Sequence, residues 1–121
     1  MPELEQIIEA YDQEISGGLA STYCDTAADF LEELWNVCDS QKIRAIIIAR
    51  LVHMGADNNR WHVGEVLGRI ASGLEGPDPA VMVLRDELAG SVRVREFNRP
   101  YLSGAGLPKV VRDVLKQEVE K

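Results

Sequence analysis

Two histidines, two cysteines and an unbroken series of acids are the residues through which this chain could do chemistry. His53 and His62, with Asp57 between them, are the metal-ligand candidates. His53 and Asp57 have helical spacing, but Gly55 interrupts it. With no CxxC, HxxxH or HExxH in the chain, neither a structural zinc nor a metalloprotease site is expected. Cys24 or Cys38 beside a histidine could be written as a nucleophilic dyad, yet both fall on apolar faces, which argues for inert thiols. On one continuous helix their fourteen residues of separation amount to about 21 Å, against the roughly 7 Å a disulfide tolerates. There is no GxSxG, no P-loop and no dinucleotide fingerprint, and Gly64 and Gly68 fall mid-helix, where they cannot cradle phosphate. No catalytic residue, cofactor or metal is expected, and the chain reads as a non-enzyme.

Charge is more informative. Residues 1–41 hold ten acids and no Lys or Arg, while the other eighty residues hold all thirteen bases against ten acids. The first third therefore carries −10 and the rest +3, for a total of −7. An unmixed acidic face gives up the small gain of i,i+4 ion pairs and accepts like-charge repulsion, which points to a charged partner. The residues expected to contact it are Glu5, Glu9 and Asp12 on a first helix and Asp25, Asp29, Glu32 and Glu33 on a second, with Trp35 at the margin. Tyr11, Tyr23 and Trp35 are the aromatic anchors on offer. The expected partner is a protein with a basic surface, approached by electrostatic steering.

Two basic features compete with that reading. Arg93, Arg95 and Arg99, with Phe97 and Tyr101, could contact an anion or RNA, or could pair with the acidic helices. Residues 43–74 read as helix, Gly-containing turn, helix, so a transcriptional regulator using 57–70 and exposing Asn58, Asn59, Arg60 and His62 is the alternative. Net charge and the glycine at position 64, where a core residue should stand, disfavour nucleic acid. A second alternative is a dimeric assembly factor or a small structural subunit.

The elements that must position these residues are helical throughout. Residues 42–54, KIRAIIIARLVHM, are apolar on nearly every side and run thirteen residues without Gly or Pro, so they form a buried central helix. Helices over 2–15 and 22–38 precede it; in the second, Ala27, Phe30, Leu31, Leu34, Val37 and Cys38 make the inner stripe. Gly55 should stop the central helix, with Asp57 or Asn58 capping a helix over 58–73. Its glycines, Gly64 and Gly68, each cost about 1 kcal/mol against Ala, which a close helix approach would explain, within the chain or across a homodimer. Asp78, Pro79 and Gly90 delimit a short helix over 79–89, and Pro108 opens the last. Between them, Val92 and Val94 alternate with Arg93 and Arg95, and residues 91–106 read as an irregular extended arm.

The expected fold is thus all-α, a single helical domain over 1–121, with five or six helices in a compact bundle around helix 42–54. No apolar run approaches the ~20 residues needed to span a bilayer. The acidic, amphipathic start MPELEQIIEAYDQE is unlike a signal peptide, so no membrane association and a cytoplasmic location are the expectations.

Overall fold

The computed structural model describes residues 22–116. They form α1 (Thr22–Val37), α2 (Gln41–Asn58), α3 (Trp61–Ala71), α4 (Pro79–Ala89), α5 (Val92–Leu102) and the short α6 (Lys109–Asp113), which runs into a 3-10 turn (Val114–Lys116). No strand occurs among the described residues, and the helices pack as an all-α bundle. The expected helix 2–15 lies outside the described residues.

Helix α2 is the pillar of the bundle. Ile43, Ile47, Ile48, Leu51 and Val52 are fully buried, and α1, α3, α4 and α5 all pack against it. Each such side chain contributes roughly 2 kcal/mol by leaving water, enough to override the modest helix propensity of three successive isoleucines. Ser40 caps its start, the hydroxyl accepting from the Ile43 N–H at 3.3 Å.

Its end departs from expectation: Gly55 does not stop it. The helix runs on to Asn58 and closes at Asn59, whose left-handed backbone (φ 52°) is the second choice after glycine for this role. Asp57 and Asn58 remain inside the helix rather than capping the next. Gly55 is needed for space, since a Cβ there would sit 2.8 Å from the Phe97 ring. Helix α3 accordingly starts three residues later than expected, with no side-chain cap at Arg60.

Helix α4 matches its signals. The Asp78 carboxylate accepts from the Ala80 N–H at 2.9 Å and Pro79 opens the first turn.

The extended arm over 91–106 is corrected: residues 92–102 are helix α5, capped by the Ser91 hydroxyl on the Val94 N–H. Its buried residues are Val94, Asn98 and Leu102, spaced by four along one helical stripe. The stripe is hard to see in the sequence because its central member is polar. Asn98 is fully buried and its amide donates to the carbonyls of Val52 (3.1 Å) and Val94 (2.9 Å), so the side chain pins α5 to α2. Val92, which suggested strand alternation, is a solvent-facing first-turn residue. Beyond α5, Val111, Val114 and Leu115 close the core.

Candidate functional site

Helix α1 is amphipathic in the sense its sequence requires. Cys24, Ala27, Ala28, Leu31, Leu34 and Trp35 are buried, which turns Asp25, Asp29, Glu32 and Glu33 outward. Three of the four acids meet basic side chains at the cap of α3 or along it. Arg60 holds Asp25 with two bonds, Nη2 to Oδ2 at 2.6 Å and Nε to Oδ1 at 3.2 Å. His62 Nε2 lies 2.7 Å from Asp29 Oδ1. Arg69 holds Glu32 with two bonds at 2.8 and 2.9 Å. The hydrogen bonds from the arginines keep the Asp25 and Glu32 carboxyls below the ordinary carboxylate range.

Glu33 is exposed with no ion-pair partner among the described residues, and the Asp29 side chain is 58% exposed despite its histidine. Trp35 is buried at 8% exposure under the Arg44 guanidinium, 4.4 Å from its ring centroid, which makes it a core residue. Glu5, Glu9, Asp12 and Tyr11 lie outside the described residues, as does the side chain of Tyr23. Of the expected contact residues, the structure therefore brings Asp25, Asp29, Glu32 and Glu33 together on one face.

The arginines at 93–99 do not reach that face. Arg93 pairs with Asp57 at 2.6 Å, Arg99 with Glu96 at 2.6 Å, and Arg95 donates to the Leu115 carbonyl. His62 and Arg69 turn to α1. Arg60, expected to reach a phosphate in the regulator reading, is held by Asp25. Gly64 and Gly68 are both used inside the chain: a Cβ at Gly64 would fall 2.4 Å from the Tyr101 ring, and one at Gly68 would fall 2.9 Å from the Tyr101 carbonyl oxygen.

One feature of the surface is not apparent from the sequence. Trp61, at the first turn of α3, is 62% exposed although it stands between Arg60 and His62, which both engage α1. An aromatic among mixed residues at a helix start gives no periodic signal, so only the structure separates it from the core. His53 lies 3.2 Å from Glu87 and links α2 to α4. Cys24 is buried, which pushes its thiol up, and Cys38 is half-buried; both are free. No group of three or more metal-ligating side chains occurs among the described residues, and none of their helices is long and apolar enough to cross a membrane. Comparison with protein-family models, curated proteins and solved structures finds no match.

Proposed function

We propose that the chain is a non-enzymatic, cytoplasmic protein-binding factor, a small acidic inhibitor, immunity-type protein or regulatory adaptor that presents α1 and the adjoining start of α3 to a basic protein. The observation that carries this reading is the exposed indole of Trp61, flanked in sequence by the two residues that tie α3 to the acids of α1. A large exposed aromatic at a helix start, with Arg60 and His62 on either side of it in sequence, has the composition of a binding hot spot with a polar rim. It takes the anchoring role that buried Trp35 cannot. Asp29 and Glu33 supply the negative field that steers a cationic surface inward, while the paired acids fix the shape of the face. The overall charge of −7 favours such a partner at long range.

The test is capture of binding proteins from the native host by wild type, Trp61→Ala and Glu33→Lys, followed by kinetics on whatever is retained. A basic protein held by wild type, released faster by Trp61→Ala and bound more slowly by Glu33→Lys, fits the reading. Retention of only acidic or neutral proteins, or equal retention by all three forms, overturns it.

A further inference from the structure

At the end of α3 remote from Trp61, about 16 Å along the helix, an open cavity of about 430 Å³ lies where the ends of four helices meet. Asp39 follows α1, Gln41 and Arg44 belong to the start of α2, Gly73 and Glu75 follow α3, and Asp78 to Ala80 begin α4. The volume falls in the range of small-molecule sites.

Arg44 gives the cavity its chemistry. Its guanidinium lies over the Trp35 ring at 4.4 Å, and its Nε donates to the Cys38 carbonyl at 2.9 Å. Those two contacts fix the plane of the group and leave the Nη edge without a hydrogen-bond acceptor among the described residues. The nearest carboxylate, Asp78 Oδ2, stands 3.9 Å from Nη1, too far for a hydrogen bond, and the other oxygen of Asp78 is committed to the Ala80 N–H. A stacked arginine with an open Nη fork is shaped for a carboxylate, which it binds with two parallel hydrogen bonds. The acids around it refuse a plain anion. Asp39, Glu75 and Asp78 carry −3 against the +1 of Arg44, and neither Asp39 nor Glu75 has an ion-pair partner among the described residues.

The geometry points to a ligand that carries one carboxylate and two cationic groups, the pattern of a basic α-amino acid, with its carboxylate on Arg44 and its cations on Asp39 and Glu75. Acids alone would accept any cation, and an arginine alone any anion; the combination selects molecules that carry both. Pro77, Pro79 and Ala80 provide the apolar wall for the aliphatic stem between the charges. This site is independent of the proposed protein-binding face.

The test uses L-lysine as the probe, with cadaverine, acetate and inorganic phosphate as controls, titrated by calorimetry and by Trp35 fluorescence in a Trp61→Phe background. Since Arg44 lies on Trp35, occupancy of the fork should change the emission of that indole. The expected result is saturable lysine binding that weakens about tenfold or more in Arg44→Gln, the worth of a charge-assisted hydrogen bond, and about tenfold for cadaverine, which lacks the carboxylate. Glu75→Gln, at an exposed side chain with no ion-pair partner among the described residues, should weaken lysine too and keeps the test decisive if Arg44→Gln fails to fold. Cadaverine binding as well as lysine would make this a general cation patch and overturn the proposal. So would equal binding of acetate or phosphate, full affinity in Glu75→Gln, or no lysine binding at millimolar concentration.

Discussion

Helix α3 is held on two sides by opposite means. Towards α1 it extends Arg60, His62 and Arg69 across to Asp25, Asp29 and Glu32, long side chains meeting at the surface. Towards α5 it offers no side chain at two positions, so that the ring of Tyr101 rests on Gly64 and its carbonyl on Gly68. The first seam is electrostatic, partly solvated and adjustable, and exposed pairs of this kind contribute little because water and salt screen them. The second is steric and intolerant: at Gly64 a ring sits where a Cβ would go, and at Gly68 a backbone carbonyl does, which has no rotamer to give way. A face meant to meet a partner tolerates the first kind of seam far better than the second. The charged side of α3 is the side on which binding is proposed.

The largest effects should come from filling the steric seam. Gly68→Leu should unfold the chain or lower its stability by several kcal/mol. Gly68→Ala should cost about 1–3 kcal/mol despite the roughly 1 kcal/mol by which Ala favours a helix. The two glycines can be told apart by rescue. At Gly64 the obstacle is the Tyr101 side chain, so Tyr101→Ala should recover much of the loss from Gly64→Ala. At Gly68 the obstacle is the Tyr101 carbonyl, which every residue carries, so the same second mutation should recover nothing. Thermal or urea melts of the four variants measure this. Rescue at both positions, or at neither, would show that the seam is not built as described.

On the same side, Asn98→Asp should rank next. It replaces an amide that donates to the Val52 and Val94 carbonyls by a carboxyl that, when ionised, repels both and has no water to solvate it. A loss of about 3 kcal/mol or more is expected, diminishing as acid protonates the new carboxyl. A variant as stable as wild type at pH 7 would mean that α5 does not pack through this residue.

How far these seams were legible in the sequence follows from what each is made of. The core helix announced itself because Ile43, Ile47 and Leu51 repeat at helical spacing, and Asp78-Pro79 fixed the start of α4 through local chemistry alone. The glycines of α3 signalled a close approach by their cost, without naming Tyr101 as the neighbour. Helix α5 was misread because Asn98 occupies the middle of its buried stripe, where a hydropathy pattern expects an apolar residue. The extent of α2 was misread because Gly55 is a packing glycine, and packing partners far along the chain leave no local trace. The acidic face of α1 was legible as charge. Its neutralisation by α3 was not, since Arg60, His62 and Arg69 stand 33 to 37 residues away from their partners. The exposure of Trp61 and the burial of Trp35 depend on which helix lies over each, and composition cannot distinguish them.

The charged seam should respond to acid and salt, and weakly. The Asp25 and Glu32 carboxyls are depressed by the hydrogen bonds they accept, so each binds a proton less readily folded than unfolded. Their contribution is therefore complete at neutral pH and disappears as the pH falls through about 4 and below. Arg69→Ala should lower stability by about 1 kcal/mol or less at neutral pH and low salt. The difference from wild type should shrink in 1 M NaCl, and shrink progressively as the pH falls below the ordinary carboxylate range and the paired carboxyls take up protons. A difference that persists unchanged in acid would mean that Arg69 acts through packing of its stem rather than through its charge.

The smallest expected effects on stability belong to the residues that neither seam uses. Trp61 is mostly in solvent and Glu33 has no ionic partner among the described residues, so Trp61→Ala and Glu33→Lys should each change stability by no more than about 0.5 kcal/mol. The sign is informative for Glu33. Four residues before it stands Asp29, also negative, and replacing one member of a like-charged i,i+4 pair by Lys turns a repulsion into an attraction worth a few tenths of a kcal/mol. Glu33→Lys should therefore be neutral or slightly stabilising at low salt, and equal to wild type at high salt. Asp29→Lys makes the contrast, because it removes the carboxylate that meets His62 at 2.7 Å, so it should be the less stable of the two. If both substitutions stabilised equally, the His62 contact would be contributing nothing, and Arg60 and Arg69 would carry the ionic part of the α1–α3 seam. If Glu33→Lys destabilised the chain, Glu33 would have a role inside the fold. It could then no longer be counted among the acids left free for a partner, and the proposed face would lose an unpaired charge.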